Sequence, residues 1–164
     1  MKAVAILLLA AFMLNGCGSS TAVETSSSNI WGAVMSGGAG TSSGFSFNTQ
    51  FTTSSGGTLT VTSFQLLNSG TCFGSSSVAT PTGTLDVTSN SDDQLTGTFS
   101  FVITSSAGDT ITLTSTSVTG TVNPNNYYVV TSASIIGTWA LVPGSSSKCV
   151  AVTDGSFTLT QTNT

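Results

Sequence analysis

Leu95-Thr96-Gly97-Thr98-Phe99-Ser100-Phe101-Val102-Ile103-Thr104-Ser105-Ser106-Ala107-Gly108-Asp109-Thr110-Ile111-Thr112-Leu113-Thr114 is the stretch that decides the fold. Phe99, Phe101 and Ile103 alternate with Thr98, Ser100 and Val102. Ile111 and Leu113 alternate with Thr110, Thr112 and Thr114. A period of two places one set of side chains on each face of a half-buried strand. Ser105-Ser106-Ala107-Gly108 between the two runs has the composition of a hairpin turn.

The same pattern extends outward in both directions. Phe45, Phe47 and Phe51 share a face with Thr49; Leu59 and Val61, Trp139 and Leu141, and Phe157 and Leu159 each alternate with small or hydroxyl residues. Nine strands are expected, over 30–35, 44–52, 57–67, 82–88, 95–104, 109–120, 127–134, 136–142 and 155–162. Glycine precedes many of them, as in Gly83-Thr84-Leu85, Gly97-Thr98-Phe99, Gly120-Thr121-Val122, Gly137-Thr138-Trp139 and Gly155-Ser156-Phe157, and is read as the turn former. Their irregular spacing opposes a fixed-period solenoid. The expected fold is all-β, an antiparallel meander forming a barrel or sandwich of about eight or nine strands. Trp31, Phe45, Phe47, Phe99, Phe101, Trp139 and Phe157 are expected to fill its interior.

Composition excludes whole classes of chemistry. The 164 residues contain two basic residues, Lys2 and Lys148, and no histidine, and the net charge is -4. Imidazole base catalysis and histidine metal ligation are therefore absent. No arginine is present to clamp phosphate, and an acidic chain has no patch for nucleic acid. Ser and Thr make up roughly a third of the chain, far above ordinary usage. Mean hydropathy is +0.34, which opposes disorder.

The first residues read as an address. Met1-Lys2 is a positive start, and Ala3 to Leu14 is an apolar run, too short for a stable membrane span and suited to a secretory signal. Leu14-Asn15-Gly16-Cys17 resembles a bacterial lipobox. The resemblance implies a signal peptide over 1–16, cleavage before Cys17, and acyl chains of the palmitate kind on that cysteine, a firm anchor. Gly18 rather than Asp follows, which favours the outer membrane. Residues 17–29 are expected to be the lipidated cysteine and a flexible Ser/Thr tether, and 30–162 the folded domain.

With Cys17 lipidated, Cys72 and Cys149 remain. An exported compartment permits disulfides, and an even remainder suggests one bridge. It would close a loop of about 76 residues, which chain-entropy arguments value at roughly 4 kcal/mol. Two buried thiols or a two-cysteine metal site are the alternatives, the second lacking histidine partners.

Several motifs tempt. Gly40-Thr41-Ser42-Ser43-Gly44 matches a nucleophile elbow without a histidine, and Ser145-Ser146-Ser147-Lys148 matches S-x-x-K in a loop after Pro143-Gly144. Asp86, Asp92, Asp93, Asp109 and Asp154 could serve calcium or glycoside hydrolysis, but acids in turns read first as local hydrogen bonders. The T-x-T runs resemble threonine ladders of ice-binding proteins, which need a flatness that a twisted sheet lacks. Tyr127 and Tyr128 follow a turn, so that one ring faces outward, able to stack on a sugar or grip a partner.

Taken together, Gly137-Thr138-Trp139 and the final Gly155-Ser156-Phe157-Thr158-Leu159-Thr160-Gln161 resemble the ends of small Ser/Thr/Gly-rich lipoproteins of environmental bacteria, acidobacterial types among them. That resemblance implies a β architecture in the bacterial cell envelope. The expected function is a non-enzymatic structural, adhesive or interaction module, bound to the membrane by its lipid, with no cofactor and no nucleic-acid partner. The alternative is a lipocalin-like carrier of a small apolar ligand, since G-x-W resembles the lipocalin motif, although it lies here near the end of the chain. Trp31, Tyr127, Tyr128 and Trp139 are the candidate contacts for a ligand or partner.

Overall fold

The computed structural model describes residues 21–22, 29–37, 45–54, 56–69, 78–89, 92, 94–123 and 126–162. The elements are β1 (Thr21–Ala22), β2 (Ile30–Ser36), β3 (Ser46–Thr53), β4 (Leu59–Asn68), β5 (Thr82–Ser89), β6 (Leu95–Thr104), β7 (Thr110–Asn123), β8 (Asn126–Val142) and β9 (Val152–Thr162). All pairings are antiparallel and form one sheet in the order β1-β5-β6-β7-β8-β9-β2-β3-β4. The fold is all-β as expected: a strongly curled single sheet, a half-barrel, and not two packed sheets.

The meander turns back on itself because β2 pairs with β9, from Ile30 opposite Thr162 to Ser36 opposite Ser156. Strand β4, at one end of the sheet, meets β5, which at the other end is flanked only by the two-residue β1, at a single bridge, Thr58 opposite Thr84, beside a Leu85 N–H donating to the Gly57 carbonyl at 2.7 Å. Register gives the half-barrel two ends. The Trp31 end carries the turns after β3, β5 and β7. The Trp139 end carries the last residues of β2, β4, β6 and β8.

The concave face is filled by the alternating apolar residues. Trp31, Phe45, Phe47, Phe99, Phe101, Trp139 and Phe157 are all buried, together with Phe51, Ile103, Ile111, Leu113, Ile135 and Leu159. Burying each such side chain contributes roughly 1.5–3 kcal/mol. Rings meet in a chain across the interior: Phe47 stacks on Phe101 at 5.6 Å, Phe101 on Phe99 at 5.8 Å, and Trp31 on Phe51 at 5.2 Å. Trp139 meets Phe45 edge-on, and its indole N–H donates to the Ser36 carbonyl at 3.2 Å.

Two expectations are corrected. The strands expected at 127–134 and 136–142 are one strand, β8, because Gly137 is not a turn. A Cβ on Gly137 would lie 2.1 Å from the Thr114 carbonyl oxygen and 2.7 Å from the Phe157 ring. Gly83, Gly97, Gly120 and Gly155 also sit inside strands, where a Cβ would strike a neighbouring backbone or, at Gly155, the Trp139 indole. These glycines let adjacent strands approach closely, a device of sharply curved sheets. Of the G-T-x units, Gly57 keeps the turn role, with φ at 77°. The second correction concerns the segment expected to be a tether: within it, β1 pairs with β5, Thr21 opposite Ser89 and Ala22 opposite Thr88.

Candidate functional site

Strand β4 bends where its alternation changes phase. Gln50 faces Ser63 and Phe51 faces Val61, so Thr62 is an extra residue; Phe47 faces Leu66 and Ser46 faces Asn68, so Leu67 is a second. Bulges of this kind bend a strand and increase its twist. Just beyond the Thr58–Thr84 bridge, β4 therefore leaves the seam. The opposite wall stays with β6, since Val78 bridges Ser105 and the Ala79 N–H donates to the Thr104 carbonyl at 3.0 Å.

The result is a cleft of about 470 Å³ between residues 61–66 and residues 78–81. Its volume lies in the range of small-ligand sites. Phe64 lies at its base, against Phe47 at 5.2 Å and Phe101 at 6.3 Å. Val61, Leu66 and Val78 are half-buried beside it, and Pro81 is buried. Thr62, Ser63, Gln65 and Thr80 are exposed and supply hydroxyl and amide groups. Among the described residues, no ionisable side chain lines the cleft. Among the described residues, β4 pairs on one side only apart from the bridge at Thr58. The arrangement can hold an uncharged amphipathic group or accept hydrogen bonds along a strand edge.

At the Trp139 end a second polar cluster ties two loops together. The Asp109 carboxylate accepts the Gly144 N–H at 3.0 Å and the Ser105 hydroxyl at 2.9 Å, and Ser147 adds a third hydrogen bond. The Ser105 oxygen in turn accepts the N–H groups of Ala107 and Asp109. Burial pushes the Asp109 carboxyl up, but the hydrogen bonds from Ser147, Gly144 and Ser105 outweigh it and hold it below its ordinary value. This is a structural clamp between the β6–β7 hairpin and the chain after β8.

The expected contact residues are distributed differently from the cleft. Trp31 and Trp139 are each 1% exposed, so they are core residues and present no surface to a partner. Tyr127 and Tyr128 lie on β8, and their side chains fall outside the described residues. Cys149 is buried, while Cys17 and Cys72 lie outside the described residues, as does the Gly40–Gly44 motif. Ser147 of the S-x-x-K run is committed to Asp109 and to the Cys149 N–H, and Lys148 is exposed. Asp86, Asp92 and Asp154 are exposed singly, and no group of three metal-ligating side chains occurs among the described residues. Sequence reasoning missed the cleft. Its signal was present, because Leu59 and Val61 are odd-numbered inward positions whereas Phe64 and Leu66 are even-numbered. No family model, curated protein or solved structure matches this chain.

Proposed function

We propose that the protein is a lipid-anchored envelope lipoprotein, acylated on Cys17, acting as a non-enzymatic interaction module whose contact site is the cleft beside β4. The observation that carries this reading is the contrast between interior and seam. The concave face is occupied by rings and aliphatic side chains, whereas the seam offers an uncharged, partly apolar opening at the surface. A carrier of the lipocalin kind holds its ligand inside the barrel, where Trp31, Phe47, Phe101 and Leu113 already stand here. An enzyme would need converging titratable groups, and the described residues of the cleft supply none.

The outer membrane of the bacterial envelope is the proposed location, on the strength of the Cys17 motif and Gly18. A Cys72–Cys149 bridge belongs to the same reading. It is supported by the burial of Cys149 and by the chain order: Asn68 and Val78, which flank Cys72 in sequence, lie at the same end of the sheet as the loop after β8.

Native mass spectrometry of the chain exported by a bacterial host tests the function. After incubation with an envelope lipid extract, the expected spectrum has no apolar adduct. An adduct that survives Phe64→Ala but is displaced by enlarging Leu113→Trp in the interior would move the assignment to the carrier.

A further inference from the structure

Strand β1 changes what the anchor can do. Thr21 is four residues past Cys17, so the chain between the acylated cysteine and the sheet spans at most about 14 Å fully extended. A free tether reaching to Ile30 at the start of β2 would span about 45 Å. Thr21 and Ala22 are paired with Ser89 and Thr88, at the Trp31 end of β5. We infer that the half-barrel is seated with its Trp31 end against the lipid surface, and that the cleft is presented away from the membrane. The inference rests on the lipoprotein reading of Cys17.

The direction follows from the run of β5. From Ser89 the strand passes to Thr82, eight residues in all, and continues into the cleft wall at residues 78–81. At about 3.4 Å per residue, the cleft opens roughly 25 Å farther along β5 than the paired β1. The β5 edge is then used along its whole length. β1 covers Thr88 and Ser89, the Gly57–Thr58 turn meets Leu85 and Thr84, and the cleft occupies what remains. Turn residues Gly56, Asp92 and Gln94 face the lipid. Ser106, Ser145 and Ser146 face away with the Asp109 clamp. Because Asp92 brings negative charge to that end, the seating comes from the short covalent link and not from attraction to anionic lipid.

The test uses the full chain, exported and acylated in a bacterial host and placed in nanodiscs of phosphatidylethanolamine and phosphatidylglycerol that carry a nitroxide headgroup lipid. Amide signals of Gly56, Asp92 and Gln94 are expected to lose most of their intensity, while those of Ser106, Ser145 and Ser146 keep theirs. Equal loss at both ends, or greater loss at Ser106, overturns the inference. The double variant Thr21→Pro with Ala22→Pro should keep the acylation and the fold but abolish the difference between ends. If the difference persists, β1 is not its cause and the inference fails. The mass of the Cys17 peptide separates the two failures: without acyl mass the lipoprotein reading falls and the inference with it, whereas with acyl mass and no end preference the inference falls alone.

Discussion

Gly155 carries more of the packing than its size suggests. A Cβ there would lie 2.1 Å from the Trp139 Nε1, the donor that satisfies the Ser36 carbonyl. Gly155→Ala should therefore displace a buried indole and cost about 2–3 kcal/mol, the range of overpacked cores. Gly32, whose Cβ would meet only Asn48 Oδ1 at 3.5 Å, is the control, and Gly32→Ala should move stability by less than about 1 kcal/mol. Urea denaturation of both variants checks the contrast. Asp109 makes a prediction about pH. Its carboxyl is held below the ordinary value of 3.8, so its contribution is complete above that pH and is lost as pH falls through the lowered value of the folded state. Asp109→Asn should destabilise the protein at neutral pH by about 2–3 kcal/mol, through the loss of charge-assisted hydrogen bonds. The gap from the parent should shrink below pH 3.8. Melting temperatures across the acid range read both effects.

At the scale of the element, period-two patterning located the long strands, β8 in two pieces, because a half-buried strand writes its two faces into alternate residues. Phe99, Phe101, Ile111 and Leu113 were legible for that reason and are all buried. What misled was glycine. Gly97 and Gly137 stand beside hydroxyl residues as turn glycines do, yet their requirement is close approach by the Asp86 and Thr114 carbonyls across the sheet, which a local reading does not contain. The cleft was hidden similarly. The phase change between Val61 and Phe64 marks a bulge, but which edge it opens depends on where the partner strand lies. Strand β7 repeats the device, its inward positions passing from Leu113 to Val118 across the bulge between Ser115 and Ser117. Edge strands open locally more easily than central ones. Native-state hydrogen exchange should find amides of β4 from residue 61 to 66 exchanging far faster than those of β9, which is paired on both sides. Equal protection of the two strands would mean that the seam is closed.

For the whole molecule, the curled sheet separates two jobs. Its concave face holds the fold together, and its unmatched seam is the contact site of the proposed function. The β1 pairing and the cleft lie at opposite ends of β5, so under the proposed lipoprotein reading one strand links attachment to the envelope with presentation of the site. None of this was readable from composition. Composition set limits, by withholding histidine and arginine, and the N-terminal motif carries the proposed address. The positions of Trp31 and Trp139 show where residue type alone fails: large rings are as suited to a core as to a binding surface, and the register decides between them. The most direct test of the account is the intact mass of the mature chain isolated from bacterial membranes. The mature chain is expected to begin at Cys17, heavier by its acyl groups and lighter by the two hydrogens of a Cys72–Cys149 bridge. A chain that begins elsewhere, carries no acyl mass and keeps both hydrogens would contradict it.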